Sequence, residues 1–176
     1  MERATGAWSR QQMLSRTFSF PATINEKAAR TVAGVVLLLA LLTLATSWYW
    51  LAAVLAYGFW ARVLTGPTLS PLGRFASRVV APRLGPEKPV PGPPKRFAQA
   101  IGATLTTVAA VAALAFGDDG LAAALLLALI LAAGLESIFA YCLGCQVFGL
   151  LMRVGVVPER VCLECADISR RAGARL

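Results

Sequence analysis

Long apolar stretches alternate with short polar turns along the chain. Four of them reach or approach the roughly 20 residues that a helix needs to cross the hydrocarbon core of a bilayer. They are Ala28–Thr46, Trp48–Leu64, Phe97–Phe116 and Leu121–Tyr141. Ser47 separates the first two stretches, and the sequence "GDDG" (Gly117–Gly120) separates the last two. The pattern predicts an all-α membrane protein in which four transmembrane helices form two hairpins.

The loop between the two hairpins has a helical pattern of its own. Ser70 and Pro71 are typical of a helix N-cap and of the first helical position. Apolar residues then recur at helical spacing, with Arg74 and Arg78 on the other side. The apolar face consists of Leu72, Phe75, Ala76, Val79 and Val80. We expect an interfacial amphipathic helix that lies flat on the membrane surface. Pro82 is expected to end it, and the Pro-rich residues 82–94 are expected to form an extended linker, with a P-x-x-P ligand as the alternative interpretation.

The residues after the fourth stretch predict a cytoplasmic helical hairpin. The fourth helix is expected to continue past Tyr141 to Gly155, a residue type common just after a helix C-terminus. Pro158 then begins a second helix. The predicted segments are a basic arm (1–27), a transmembrane hairpin (28–64), the amphipathic helix and linker (65–96), a second transmembrane hairpin (97–141) and a tail (142–176).

Composition and charge support the membrane assignment. Hydrophobic residues make up 57% of the 176-residue chain, which is too apolar for an ordinary soluble core. The formal net charge is +8, but every Lys and Arg falls before or at the start of the first stretch, in or beside the central loop, or in the tail. The charge therefore indicates topology and not nucleic-acid binding. The positive-inside rule places both termini and the central loop in the cytoplasm.

All four cysteines lie near the C-terminus as two C-x-x-C pairs, Cys142 with Cys145 and Cys162 with Cys165. Each pair shares one face of a predicted helix, so four thiolates could converge on zinc or on an iron–sulfur cluster. Thiols that carry electrons or sulfur are the second interpretation, and inert small hydrophobic residues are the third. Stable structural disulfides are not expected in a reducing cytoplasm. The lack of histidine excludes c-type haem attachment and mixed Cys/His sites.

Position along the predicted helices distinguishes the two leading cysteines. A reactive thiol is favoured at a helix N-terminus or beside a cation. Cys162 follows Pro158 and Arg160 closely and meets this condition. Cys142 is expected toward the C-terminal end of a long helix, where the helix dipole does not favour a thiolate. The sequence therefore favours Cys162 as the more reactive of the two.

Glu136 lies inside the fourth apolar stretch, where an ionisable residue is costly and often functional. On a straight helix Cys142 is about 120° and Cys145 about 180° around from Glu136, so they are expected to face different neighbours. We expect Glu136 to pair with Arg30 or Gln99. Glu136 has two possible roles. It conducts protons or a substrate in a small transporter, or it is a structural carboxylate.

Two short motifs resemble a known family. "KRFAQAIG" (Lys95–Gly102) opens the third stretch and "YCLGC" (Tyr141–Cys145) closes the fourth. In these motifs the chain is similar to the bacterial integral membrane family called domain of unknown function 4395, over roughly Asn25 to Cys165. The resemblance implies a four-span bundle without an established activity. Because members are similar to proteins found alongside thioredoxin-like and sulfurtransferase functions, it favours thiol or sulfur chemistry with a partner of that kind.

The leading functional prediction is a cytoplasm-facing thiol site that works in thiol redox or sulfur handling. Cys162 or Cys142 attacks, and Cys145 or Cys165 resolves the intermediate. The alternative is a non-enzymatic membrane scaffold in which zinc or an iron–sulfur cluster, held by all four cysteines, clips the helical hairpin. A small transporter that uses Glu136 is the weaker third hypothesis.

Overall fold

The computed structural model describes residues 21–66, 69–158, 161, 162 and 165, which are mostly helical. Its long helices are α1 (Glu26–Thr46), α2 (Trp50–Thr65), α5 (Gly92–Phe116) and α6 (Asp119–Phe139), followed by α7 (Leu143–Arg153). Between α2 and α5 lie α3 (Pro71–Phe75), a π-helical turn (Ala76–Val80), α4 (Ala81–Arg83) and the strand β2 (Pro89–Pro91), which pairs with β1 (Thr23–Asn25). The predicted all-α class is confirmed apart from this pair of three-residue strands. The predicted arm at 1–27 lies mostly outside the described residues.

Three of the helices in the described part of the chain, α1, α5 and α6, are long and apolar enough to cross a membrane. Helix α2 is also apolar but has 16 residues, fewer than a full span. Large side chains such as Leu38 and Leu131 are 66% and 68% exposed, as expected for a surface in contact with lipid. These features describe a multi-pass membrane protein with three candidate spans. Helix α2, which corresponds to the predicted span Trp48–Leu64, is not among them.

Both predicted hairpin turns are confirmed. Ser47 follows α1 in the left-handed conformation, with φ of 57°. Gly117 follows α5 in the same region, with φ of 66°. The Asp118 side chain then caps α6 by accepting a hydrogen bond of 2.9 Å from the amide of Leu121. The helix boundaries at these turns agree with the sequence prediction to within two residues.

Each long helix of the first hairpin packs against a long helix of the second hairpin. Helix α2 lies against α5, α1 lies against α6, and α5 also contacts α6. The centre is built from small side chains, and Ala40, Ala52 and Ala103 are completely buried. Gly102 permits a close approach of α5 to α2, because a Cβ added there would lie 2.7 Å from Cζ of Phe59. Small residues thus bring the helices close enough for van der Waals contact to stabilise the bundle.

The loop helix begins as predicted but packs differently. The Ser70 side chain accepts a hydrogen bond of 3.1 Å from the amide of Gly73, which confirms the predicted cap. The small residues Gly73, Ala76 and Ala81 are buried, and the segment packs on α1. Phe75, predicted on the apolar face, is 56% exposed. The close contact with α1 selects small residues for the inner face, which hydrophobicity alone does not reveal.

The Pro-rich linker is shorter than predicted. Helix α4 continues through Pro82 and ends at Arg83. Helix α5 begins at Gly92, five residues before the predicted start at Phe97. Amides in the first turn of a helix have no intrahelical acceptor, so a residue without an amide hydrogen is tolerated there. Pro93 and Pro94 therefore fit the first turn of α5. In between, β2 pairs antiparallel with β1, and Lys88 forms an ion pair of 2.8 Å with Glu26. The linker therefore ties the start of α5 to the start of α1.

The prediction that the fourth helix continues to Gly155 is wrong. Helix α6 ends at Phe139, Ala140 has φ of 57°, and α7 starts at Leu143 as a separate helix. The last carbonyls of α6 find partners elsewhere: the amide of Tyr141 donates to Leu135, and Arg30 donates to Ser137 and Ile138. These bonds stabilise the helix end. The second arm of the predicted hairpin lies largely outside the described residues.

Candidate functional site

The first cysteine pair lies at the N-terminus of α7. Cys142 is the N-cap residue, and its sulfur accepts a hydrogen bond of 3.3 Å from the amide of Cys145. The two sulfurs are bonded as a disulfide, with the Cα atoms 5.2 Å apart. The expectation that Cys142 lies near a helix C-terminus is therefore wrong, because the break after α6 puts it at the start of a new helix. In the reduced pair this position favours the thiolate form of Cys142.

The second pair has the same local geometry. The sulfur of Cys162 accepts a hydrogen bond of 3.3 Å from the amide of Cys165, and the two sulfurs are bonded as a disulfide. Cys162 is buried against Phe148 and Met152 of α7, and Cys165 packs on the same cluster. Contacts with α7 therefore hold the tail pair beside the helix that carries the first pair.

One groove joins the two pairs. Cys142, Cys145 and Cys165 all line it, and its volume is about 510 Å³. Cys142 and Cys162 are only 7% and 6% exposed, whereas Cys145 and Cys165 are partly exposed. Each pair thus has one buried and one partly exposed cysteine, and the buried Cys142 also lines part of the groove. Cations outnumber acids among the charged residues that line it: Lys88, Lys95, Arg153 and Glu26.

The sulfurs are joined within each pair and do not converge as four thiolates on one point. Among the described residues no group of three or more Cys, His, Asp or Glu side chains is arranged to hold a metal ion. A disulfide sulfur offers no thiolate to zinc or iron. The zinc or iron–sulfur interpretation stays a prediction for the reduced protein.

Glu136 forms an ion pair with Lys95, and the two side chains are 16% and 10% exposed. The predicted partners were wrong. Arg30 donates instead to backbone carbonyls at the end of α6, and Gln99 accepts a hydrogen bond of 2.8 Å from Nε of Arg62. Sequence reasoning missed Lys95 because it assigned this residue to the linker, whereas the early start of α5 puts it on a helix facing α6.

Arg62 is a second buried cation that the sequence prediction counted with the central loop. It lies in α2, is 6% exposed, and its guanidinium carbon is 4.6 Å from the centre of the Phe59 ring. Besides the bond to Gln99, its Nη1 is 3.4 Å from Oγ of Ser70. Its Nη2 has no hydrogen-bond partner within the described part of the chain. The helical position of Arg62 was readable from the apolar residues on both sides of it.

An apolar pocket of about 230 Å³ lies beneath the start of α7. Its walls come from α1, α5 and α6, and its polar lining includes Cys142, Glu136 and Gln99. The expectation that Glu136 and Cys142 face different neighbours is wrong, since both line this pocket. The angular argument assumed one straight helix, and the break at Ala140 turns the chain back over the end of the bundle.

The model of the family described as domain of unknown function (DUF4395) matches residues 24–153. The chain belongs to this family. No curated protein and no solved structure matches the chain. The DUF4395 match includes the pair at Cys142 and Cys145 but ends before Cys162. It is therefore shorter at its C-terminal end than the expected extent, which reached Cys165. Within the DUF4395 region lie the apolar pocket, the ion pair of Lys95 with Glu136, and Arg62.

Proposed function

We propose that this protein is a membrane thiol–disulfide oxidoreductase in which the tail pair and the α7 pair exchange electrons across the shared groove. The observation that carries the proposal is that Cys145 and Cys165, one sulfur from each pair, line the same groove and are partly exposed. The buried sulfur in each pair accepts a hydrogen bond from the amide of its partner cysteine. A thiolate at each buried position would be stabilised by that amide.

The exchange begins with a reduced tail pair and an oxidised α7 pair. Cys165 is proposed as the attacking thiolate in place of the expected Cys162, because Cys162 is buried and Cys165 is partly exposed. Its attack on the sulfur of Cys145 forms a mixed disulfide and releases Cys142 as a thiolate. Cys162 then attacks Cys165, which forms the tail disulfide and leaves Cys145 as the second thiolate. Two electrons and two protons pass from the tail pair to the α7 pair. Release of Cys142 is favoured because a stabilised thiolate is the better leaving group.

We infer that a thioredoxin-like protein exchanges electrons with the tail pair. The family resemblance to proteins found alongside thioredoxin-like functions supports this partner class. The groove beside the sulfurs contains more cations than acids, which suits an acidic partner surface. A sulfurtransferase that carries a persulfide would instead transfer its outer sulfur to the thiolate of Cys165 or Cys145. The two partner classes therefore differ in what this cysteine accepts: electrons or a sulfur atom.

The proposed topology has four spans, with both termini and the groove on the cytoplasmic side of a bacterial inner membrane. Helix α2 is the fourth span, and its 16 residues reach about 24 Å. Trp48 and Trp50 stack beside the start of α2 and are more than half exposed, as for residues anchored at an interface. The Lys and Arg distribution supports this orientation.

Two double variants of the full chain in lipid nanodiscs test the exchange path. In Cys142→Ser with Cys162→Ser only the two open sulfurs remain, and we expect mild oxidation to give a Cys145–Cys165 disulfide that mass spectrometry of protease fragments detects. The matched control, Cys145→Ser with Cys165→Ser, retains only the two buried sulfurs and should stay reduced. Equal cross-linking in both variants, or none in either, would contradict the proposed path.

Metal analysis separates redox chemistry from the scaffold alternative. The redox proposal predicts reduced protein with four titratable thiols that reoxidise to two disulfides and bind zinc or iron substoichiometrically. About one tightly bound zinc, or an iron–sulfur chromophore, lost when either pair is changed to serine, would instead establish the structural metal site and exclude the exchange.

A further inference from the structure

The apolar pocket connects the cysteine chemistry to the interior of the helix bundle. Val32 of α1, Leu105 of α5 and Leu129 of α6 form part of its wall, and Cys142 lies at its α7 end. All three wall helices are candidate membrane spans. The exposed residues Ile101 and Val147 also line it, so the pocket opens on the apolar outer surface. A ligand would therefore enter from the lipid.

The size and polarity of the pocket restrict what can enter. Its volume of about 230 Å³ is below the roughly 300–1,000 Å³ of sites that enclose a drug-sized ligand, so a single ring fits while a longer tail stays in the bilayer. The polar groups lie together at one end. Glu136 is held by Lys95, and Gln99 uses its oxygen to accept from Arg62, which leaves its NH₂ group as a donor. An apolar ring with polar oxygens matches this lining.

We propose that a membrane-soluble quinone binds in this pocket and accepts the electrons of the α7 pair. The inference rests on the proposed thiol–disulfide function. From the pocket side the α7 pair is reached through Cys142, so a reactant there must be apolar and must accept two electrons, and a lipid-soluble quinone meets both conditions. The tail pair and the quinone then reach the α7 pair from different sides: the tail pair through the groove at Cys145, and the quinone through the pocket at Cys142.

The redox step balances without any further reactant. The reduced pair, Cys142 and Cys145, gives up two electrons and two protons and forms its disulfide. The quinone takes up both and becomes the hydroquinone. Glu136 and Gln99 line the pocket with Cys142 and are the side chains placed to contact the quinone oxygens. In Glu136→Gln an amide of similar shape replaces the carboxylate, so this variant tests whether the negative charge matters for the step.

Decylubiquinone is the probe. The full chain in lipid nanodiscs is reduced with dithiothreitol, freed of it, and mixed anaerobically with decylubiquinone, while quinol formation and free thiols are followed. We expect two thiols to disappear for each quinol formed. Ala132 lines the pocket, and Ala132→Trp should slow the reaction at least tenfold because the indole occupies the ring site. The neighbouring Leu131, which is 68% exposed and outside the pocket, provides the control Leu131→Trp, with a rate near that of the wild type.

Glutathione disulfide, a water-soluble oxidant, distinguishes a blocked pocket from a misfolded chain. Ala132→Trp should react with it at the wild-type rate, and Ile101→Trp, at the pocket opening, should repeat the selective loss of quinone reduction. Wild-type protein that glutathione disulfide oxidises but decylubiquinone does not would overturn the quinone inference alone. So would equal quinone rates in all variants, which would make the pocket a lipid site. Thiols that no oxidant cycles would overturn the proposed function itself.

Discussion

The sulfur of Cys142 lies 3.3 Å from the amide nitrogen of Cys145, at the first turn of α7. This contact exists because the chain breaks between α6 and α7, and Arg30 of α1 supports the break by donating to the carbonyls of Ser137 and Ile138. The position of Cys142 at a helix N-terminus therefore depends on a contact between helices that are far apart in sequence.

Loss of Arg30 should loosen the end of α6. Arg30→Ala removes the charged donor from the carbonyls of Ser137 and Ile138, and we expect a loss of about 1–3 kcal/mol in the free energy of unfolding. Thermal unfolding in nanodiscs measures the stability, and the oxidation rate of the reduced α7 pair by glutathione disulfide measures the effect on Cys142. Arg74→Ala, at an exposed position of α3, is the control and should change neither. Equal effects of the two substitutions would refute the assigned role.

The ion pair between Lys95 and Glu136 should be costly to break from one side. Lys95→Met leaves a largely buried carboxylate without its partner, and we expect a destabilisation of about 3–5 kcal/mol. In the double variant Lys95→Met with Glu136→Leu the uncompensated charge is gone, so most of the stability should return. Thermal or detergent-induced unfolding of the wild type, the single variants Lys95→Met and Glu136→Leu, and the double variant completes a double-mutant cycle. Simple additivity of the two single effects would exclude a direct interaction.

Two glycines of α7 should respond differently to the same substitution. A Cβ at Gly144 would lie 2.6 Å from Cα of Ala98, whereas nothing lies within 4 Å of a Cβ at Gly149. Gly144→Ala should push α7 away from α5 and destabilise the protein by about 1–3 kcal/mol. Gly149→Ala should be neutral or slightly stabilising, because alanine has the higher helix propensity. If Gly144→Ala retained full stability and normal thiol exchange, the close helix contact would be refuted.

The proposed orientation predicts which loops are reached from outside the cell. In a chain whose native cysteines are replaced by serine, Ser47→Cys in the first hairpin turn should react with a membrane-impermeant maleimide in intact cells. Glu87→Cys in the central loop should react only after the cells are opened. The reverse pattern would invert the topology and put the thiol groove on the outer face.

Sequence reasoning succeeded where the signal was local. The turn at Ser47 and the cap at Ser70 depend on neighbouring residues alone, and both were predicted. The break at Ala140 was missed because alanine is the strongest helix former, and its left-handed conformation is supported by Arg30, more than one hundred residues away in the chain. Lys95 was misplaced for a related reason: the linker ends earlier than its proline content suggested, since prolines also fit the first turn of α5.

The two halves of the chain have the same order of elements, and the strands that begin them, β1 and β2, pair antiparallel. Each half runs strand, long helix, turn, long helix, then a shorter helix that packs on the first long helix of its own half. Ser70 and Cys142 occupy equivalent places in this order, since each caps the shorter helix by accepting from the amide three residues on. A hydroxyl that caps a helix and contacts Arg62 in one half thus corresponds to a disulfide sulfur in the other. An internal duplication would account for two helix caps of the same geometry that differ in the capping atom.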